Sequence, residues 1–166
     1  MQRAKINYIK WITETINKMN THQQEDPESW RKFWKESYEG ISKYASKKSC
    51  RMCAAYGLWY LGYIVDGDRD FQDWELSKIN HELGKNAVYA VIAIEKLDQQ
   101  EDVSKKELWA YVQERYRQEK FPKKSKTKQA KSEAEFEEPA DDDAGAIKIA
   151  LVLFTNNRIV QLSKRK

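Results

Sequence analysis

Apolar residues recur at spacings of three and four from the start of the chain. Ile6, Ile9, Ile12, Ile16 and Met19 share one face and predict a first helix. The polar run Asn20 to Glu25 interrupts it. Asp26-Pro27 then reads as an N-cap followed by proline at the first helical position, where its missing N–H costs nothing. The helix that follows carries Trp30, Phe33, Trp34, Tyr38, Ile41 and Ala45 on one stripe, with Arg31, Lys32, Lys35 and Glu36 opposite, as a surface helix should.

Ser49 suits the N-cap of a third helix, Cys50 to about Tyr63, which is apolar nearly all round (Met52, Cys53, Ala55, Leu58, Trp59, Leu61, Ile64). A helix with no polar face is buried on several sides, so this one is expected at the centre. The turn Asp66-Gly67-Asp68-Arg69-Asp70 leads to a short helix around Phe71, Trp74 and Ile79. A second apolar helix, Gly84 to Leu97, adds Val88, Val91, Ile92 and Ile94 to the core. Ser104 and Glu107 stand at capping-box spacing before Leu108, Trp109, Val112 and Tyr116.

From Glu119 to Asp143 the chain is nearly free of aliphatic residues, basic in its first half and acidic in its second. It lacks the apolar surface needed to offset ordering entropy, so a mobile loop is expected. The last helix runs from Ala146 with Ile147, Ala150, Leu151, Leu153 and Phe154, and Asn156-Asn157 ends it. Ser163 to Lys166 reads as a frayed basic tail. An internal echo joins two of these helices. Ala55, Leu58, Trp59, Gly62, Ile64 and Val65 align with Ala150, Leu153, Phe154, Asn157, Ile159 and Val160. Gly and Asn both suit a left-handed C-cap, so the echo is either a common way of ending a helix or a pseudo-repeat whose helices pack as equivalents.

A chain of 166 residues suits one domain. Six Gly and three Pro, against 34% charged residues rich in Lys and Glu, agree with helices rather than a sandwich or barrel. The net charge of +4 announces no nucleic-acid binder by itself. Two cysteines exclude a disulfide framework and suit a reducing cytosol. The longest apolar run, Ala87 to Ile94, falls far short of the ~20 residues a membrane span needs. With no apolar signal core near Met1, a cytoplasmic location without membrane contact is expected.

Cys50-Arg51-Met52-Cys53 is the first candidate for chemistry. A helix N-terminus is where redox pairs are tuned, but no strands frame this one as in thioredoxin-like sites. As a metal half-site the pair needs two more ligands, and His81 is the weak candidate to join Cys50 and Cys53. Asp66, Asp68 and Asp70 have the spacing of calcium-loop ligands, yet Phe71 and Ser77 occupy the Gly and Glu positions. Carboxylate pairs such as Glu36/Glu39 and Glu95/Asp98 stand at helical spacing with lysines nearby, as on solvated faces. Neither histidine has a catalytic partner in view, so no catalytic residue and no cofactor are assigned. Lys43, Lys47, Lys48 and Arg51 gather around the start of the third helix and offer phosphate contacts.

The wording from Ser49 to Leu58, with its Gly62-Tyr63-Ile64-Val65-Asp66-Gly67 ending, resembles the central helix of a family of small uncharacterised helical bacterial proteins. Lys85 to Val91, Ser104 to Trp109, and Ala150 to Phe154 with Ile159-Val160 resemble it in the same order. This chain has Arg51 where that family tends to proline and carries the charged insertion besides. The resemblance implies a compact helical protein of bacterial or phage origin and no established catalytic residues.

The reading is therefore a single all-α domain of six or seven helices with a flexible charged insertion. The expected function is a non-catalytic interaction protein, an accessory subunit or inhibitor of a bacterial or phage complex. Trp11, Trp30, Trp34, Trp74 and Tyr116 are its partner-binding candidates, because aromatics exceed what a core of this size obviously needs. The alternatives are nucleic-acid binding through the lysines near Arg51, and thiol-redox or metal chemistry at the CxxC pair. Ordinary core packing competes with function for every one of these aromatics.

Overall fold

Three of the helices begin where a capping side chain satisfies a free N–H of the first turn. In this computed structural model, which describes residues 7–38, 49–100, 102–122, 136–141 and 145–160, α1 spans Tyr8–Thr21. The Asn7 side chain caps it by accepting the Lys10 N–H at 3.0 Å. Asp26 caps α2, Pro27–Glu36, and accepts both the N–H and the hydroxyl of Ser29, at 2.9 and 2.7 Å. Those bonds hold its carboxyl below the ordinary carboxylate value. α2 stops before Tyr38; Ile41 and Ala45 of the expected stripe lie outside the described residues.

α3 is Ser49–Tyr60, so Ser49 lies within the helix rather than capping it. The helix ends short of the expected Tyr63 because Gly62 turns left-handed at φ +79°. A single 3-10 turn, Val65–Gly67, follows. Phe71 and Trp74, expected on a helix, lie instead on an irregular segment before α4, Leu76–Leu83. α5 is Lys85–Gln99 and α6 is Lys105–Glu119, with the Ser104 hydroxyl accepting the Glu107 N–H at 3.1 Å. α7 is Ala146–Thr155. The fold is all-α: among the described residues there are seven helices and two isolated antiparallel bridges but no strand. None of these helices is long and apolar enough to cross a membrane.

The hub is α5 rather than α3. α5 packs against α3, α4, α6 and α7, and every residue from Ala87 to Ile94 is buried. Ala87, Ala90 and Ala93 make it thin enough for neighbours on all sides. It crosses α3 closely enough that a Cβ added at Gly57 would stand 2.5 Å from that of Ala87. A larger residue at Gly57 would push the two helices apart.

The α1–α2 hairpin docks on this framework through aromatic rings. Trp11 stacks on Trp34 at 4.0 Å, Trp30 on Trp59 at 5.3 Å, and Trp30 meets Tyr56 at 5.7 Å. Of the four buried indoles three find a backbone acceptor, while Trp34 Nε1 has none among the described residues. Trp11 donates to the Trp34 carbonyl, Trp30 to Met52 and Trp59 to Gly67.

Both flanks of the charged stretch are packed on the helices. Phe121 is buried, Pro122 bridges Phe136, and the Glu137 N–H donates to the Phe121 carbonyl at 2.7 Å. Tyr89 accepts the Ala140 N–H at 3.0 Å, while Gln113 and Trp109 donate to the carbonyls of Ala140 and Asp141. The remainder of the expected loop, 123–135 and 142–143, and the basic tail Ser163 to Lys166 lie outside the described residues.

Candidate functional site

The structure places four of the five aromatic candidates in the core. Trp11, Trp30, Trp34 and Tyr116 are all buried, so their rings hold helices together and offer no surface to a partner. The aromatic excess is spent on docking the α1–α2 hairpin and on the Tyr89–Tyr116–Phe121 cluster, where centroids stand 5.2 and 4.7 Å apart. Trp74 alone reaches the surface. Half-buried, it lies edge-on to Tyr60 at 5.8 Å, with Lys78 Nζ 4.2 Å from its ring centre.

The acidic turn serves structure as well. Gly67 accepts the Trp59 indole, and Arg69 covers Trp59 and Tyr60 at 4.8 and 4.5 Å while bonding the Tyr60 carbonyl. Glu25 pairs with the same guanidinium at 3.3 Å. Among the carboxylates weighed for catalysis, Glu36 pairs with Lys18 at 3.8 Å. His81 lies exposed in the last turn of α4, not near a helix start, and is not gathered with the cysteines. Among the described residues no three His, Cys, Asp or Glu side chains are placed to hold a metal ion.

Chemistry concentrates where α3 and α7 begin side by side. Cys50 and Cys53 are free thiols, both half-buried, in the first and second turns of α3. Burial pushes the Cys53 thiol up, a charge on Cys50 adds to this, and Arg31 on α2 opposes it. Arg51 leans against Gly145, whose missing side chain leaves room for the arginine stem, and its guanidinium lies 5.7 Å from the Tyr8 ring centre. Lys148 of α7 approaches the same ring, also at 5.7 Å. Burial raises the Tyr8 hydroxyl, and Arg51 partly offsets this. Arg31, Arg51 and Lys148 make no salt bridge among the described residues. Arg51 thus spends its stem on packing, and Lys43, Lys47 and Lys48 lie outside the described residues.

Sequence reasoning did not single out the outer face of α7. Surface helices here carry charge outward, as α2 does with Arg31, Lys32, Lys35 and Glu36. α7 has one charge, Lys148, and beside it Leu151, Val152 and Phe154 are only half-buried. Beyond α7 the Ile64–Ile159 bridge brings half-buried Ile159 and Val160 beside Val65, which is 48% exposed. The signal was in the sequence: a helix apolar all round that lies at the edge of the fold must show part of that surface to water.

No family model matches the chain, and no curated protein or solved structure matches it either.

Proposed function

We propose that the protein is a non-catalytic interaction protein that docks a protein partner through the outer face of α7 and the adjoining Val65 edge. The observation that carries this reading is that Leu151, Val152 and Phe154 are only half-buried on a helix with a single charge, with exposed Val65 on the segment bridged to the end of that helix. Contiguous apolar surface left in water is where partners bind, and a rim of polar groups sets their register. Lys148 and Thr155 supply such a rim, both exposed on the same helix.

The test is site-specific photo-crosslinking in cells that express the protein, from positions 151 and 152 and from Lys106 on the exposed start of α6. A discrete protein adduct from the two α7 positions and none from Lys106 supports the docking face. Equal capture from all three positions, or capture of nucleic acid alone, overturns it.

A further inference from the structure

The start of α3 holds the only two cysteines of the chain three residues apart, so they fall on the same side of the helix one turn from each other. We infer that Cys50 and Cys53 form a reversible dithiol–disulfide site that exchanges with small disulfides such as oxidised glutathione. This site is separate from the α7 face and stands or falls independently of it.

Three features carry the inference. The thiols are half-buried rather than sealed in the core, so a small disulfide has access to them. Arg31 partly offsets the burial that raises the Cys53 thiol, and neither Arg31 nor Arg51 is paired in a salt bridge among the described residues. Reactive cysteines favour partly exposed settings with a cation nearby.

The third feature is geometric. Side chains three apart on a helix have Cβ atoms about 5–6 Å apart, whereas a disulfide needs about 3.5–4.5 Å. Closing the bond requires the turn to tighten by about 1–2 Å. The first turn is the place where a helix can do so at least cost, because its leading N–H groups have no intrahelical acceptors. A bond closed this way is strained and readily reduced, the property of a regulatory rather than a structural disulfide.

The two thiols divide the work. Cys50 stands in the first turn of α3, and its thiolate attacks one sulfur of oxidised glutathione, expelling one glutathione thiolate and leaving a mixed disulfide on Cys50 Sγ. Burial keeps the proton on Cys53 longer, so Cys53 acts second. After losing that proton to water, its thiolate attacks Cys50 Sγ and expels the second glutathione. Two protein thiols are oxidised and one glutathione disulfide is reduced to two thiols, the two departing glutathione thiolates taking up the two protons that the cysteines lose.

The experiment treats the full chain with mixtures of reduced and oxidised glutathione, quenches with acid, and reads the products by intact mass. Wild-type protein is expected to lose two hydrogens and regain them under reduced glutathione. Cys53→Ser should accumulate one glutathione adduct, forming at least about tenfold faster than any adduct on Cys50→Ser. A wild-type protein that stops at the glutathione adduct, or that never reacts while folded, overturns the proposal. So does a Cys50→Ser variant as reactive as Cys53→Ser. The matching Cys→Ala variants, checked for unchanged circular dichroism, separate loss of chemistry from loss of fold.

Discussion

At the end of α3 the Gly62 N–H bonds the Trp59 carbonyl at 3.0 Å and the Tyr63 N–H bonds Leu58 at 2.9 Å. At the end of α7 the Asn157 N–H bonds Phe154 at 3.1 Å and the Arg158 N–H bonds Leu153 at 2.9 Å. The capping residues are both left-handed, Gly62 at φ +79° and Asn157 at φ +57°. Beyond them Ile64 bridges Ile159, with Val65 N–H to the Arg158 carbonyl at 2.8 Å and Val160 N–H to the Tyr63 carbonyl at 2.9 Å. Exchanging the two segments turns each of those last bonds into the other, so the helix ends are related by a local two-fold. Packing of the two helices as equivalents extends that far and no farther. α3 is enclosed by α2, α5, α7 and the Trp59–Gly67 contact, whereas α7 turns Leu151 and Val152 partly to solvent. One local code therefore serves a core helix and an edge helix, and what surrounds each decides how much a residue matters.

The largest separation is expected at the matched aromatics. Trp59→Ala empties a site that is 1% exposed and should cost about 4 kcal/mol, whereas half-buried Phe154→Ala should cost about 1–2 kcal/mol. Urea unfolding of both variants measures the gap, and equal losses would mean that α7 is as enclosed as α3.

Next come the matched positions Gly57 and Val152. Gly57→Val drives a side chain into Ala87 at the α3–α5 crossing and should destabilise by about 3 kcal/mol. Val152→Gly removes only half-buried surface and adds backbone freedom, at about 1 kcal/mol. Thermal midpoints that rank the other way would move the crossing elsewhere.

The caps themselves should differ less. At Gly62 an added Cβ would lie 2.5 Å from the Asp70 carbonyl oxygen and 2.7 Å from Phe71 Cα, backbone atoms that cannot swing aside. Gly62→Ala is therefore expected to cost about 2 kcal/mol, and Asn157→Ala, which meets only the left-handed penalty, about 1 kcal/mol. Unfolding free energies that agree within error would show the two turns to be equally open.

The smallest contrast is in pH. Burial raises the Tyr56 hydroxyl above its ordinary value of 10.0. The folded chain keeps that proton after the unfolded chain has lost it, so its contribution is complete below pH 10 and declines as pH rises further. Stability should fall above pH 10 by at most about 1.4 kcal/mol per pH unit for this group, and Tyr56→Phe should flatten the fall. Leu151, the residue matched to Tyr56 in α7, gives the control: Leu151→Tyr at that half-exposed position should add no slope.

Features that depend on a few neighbouring residues were legible in the sequence. Asp26-Pro27, Ser104 with Glu107, and the Gly62 and Asn157 caps begin and end helices as read, because a capping bond reaches only two or three residues along the chain. The CxxC pair lies in the first turns of α3, although Ser49, read as its cap, is inside the helix. Tertiary structure alone decided that α5 rather than α3 is the hub, that Trp30 is buried while Trp74 meets solvent, and that Lys148 joins Arg51 over Tyr8. An apolar stripe states that a helix has a face to bury, but the area that covers it comes from segments distant in sequence. Only their packing determines which apolar side chains meet water, and among the described residues the large ones most exposed are Val65, Tyr111 and Phe136.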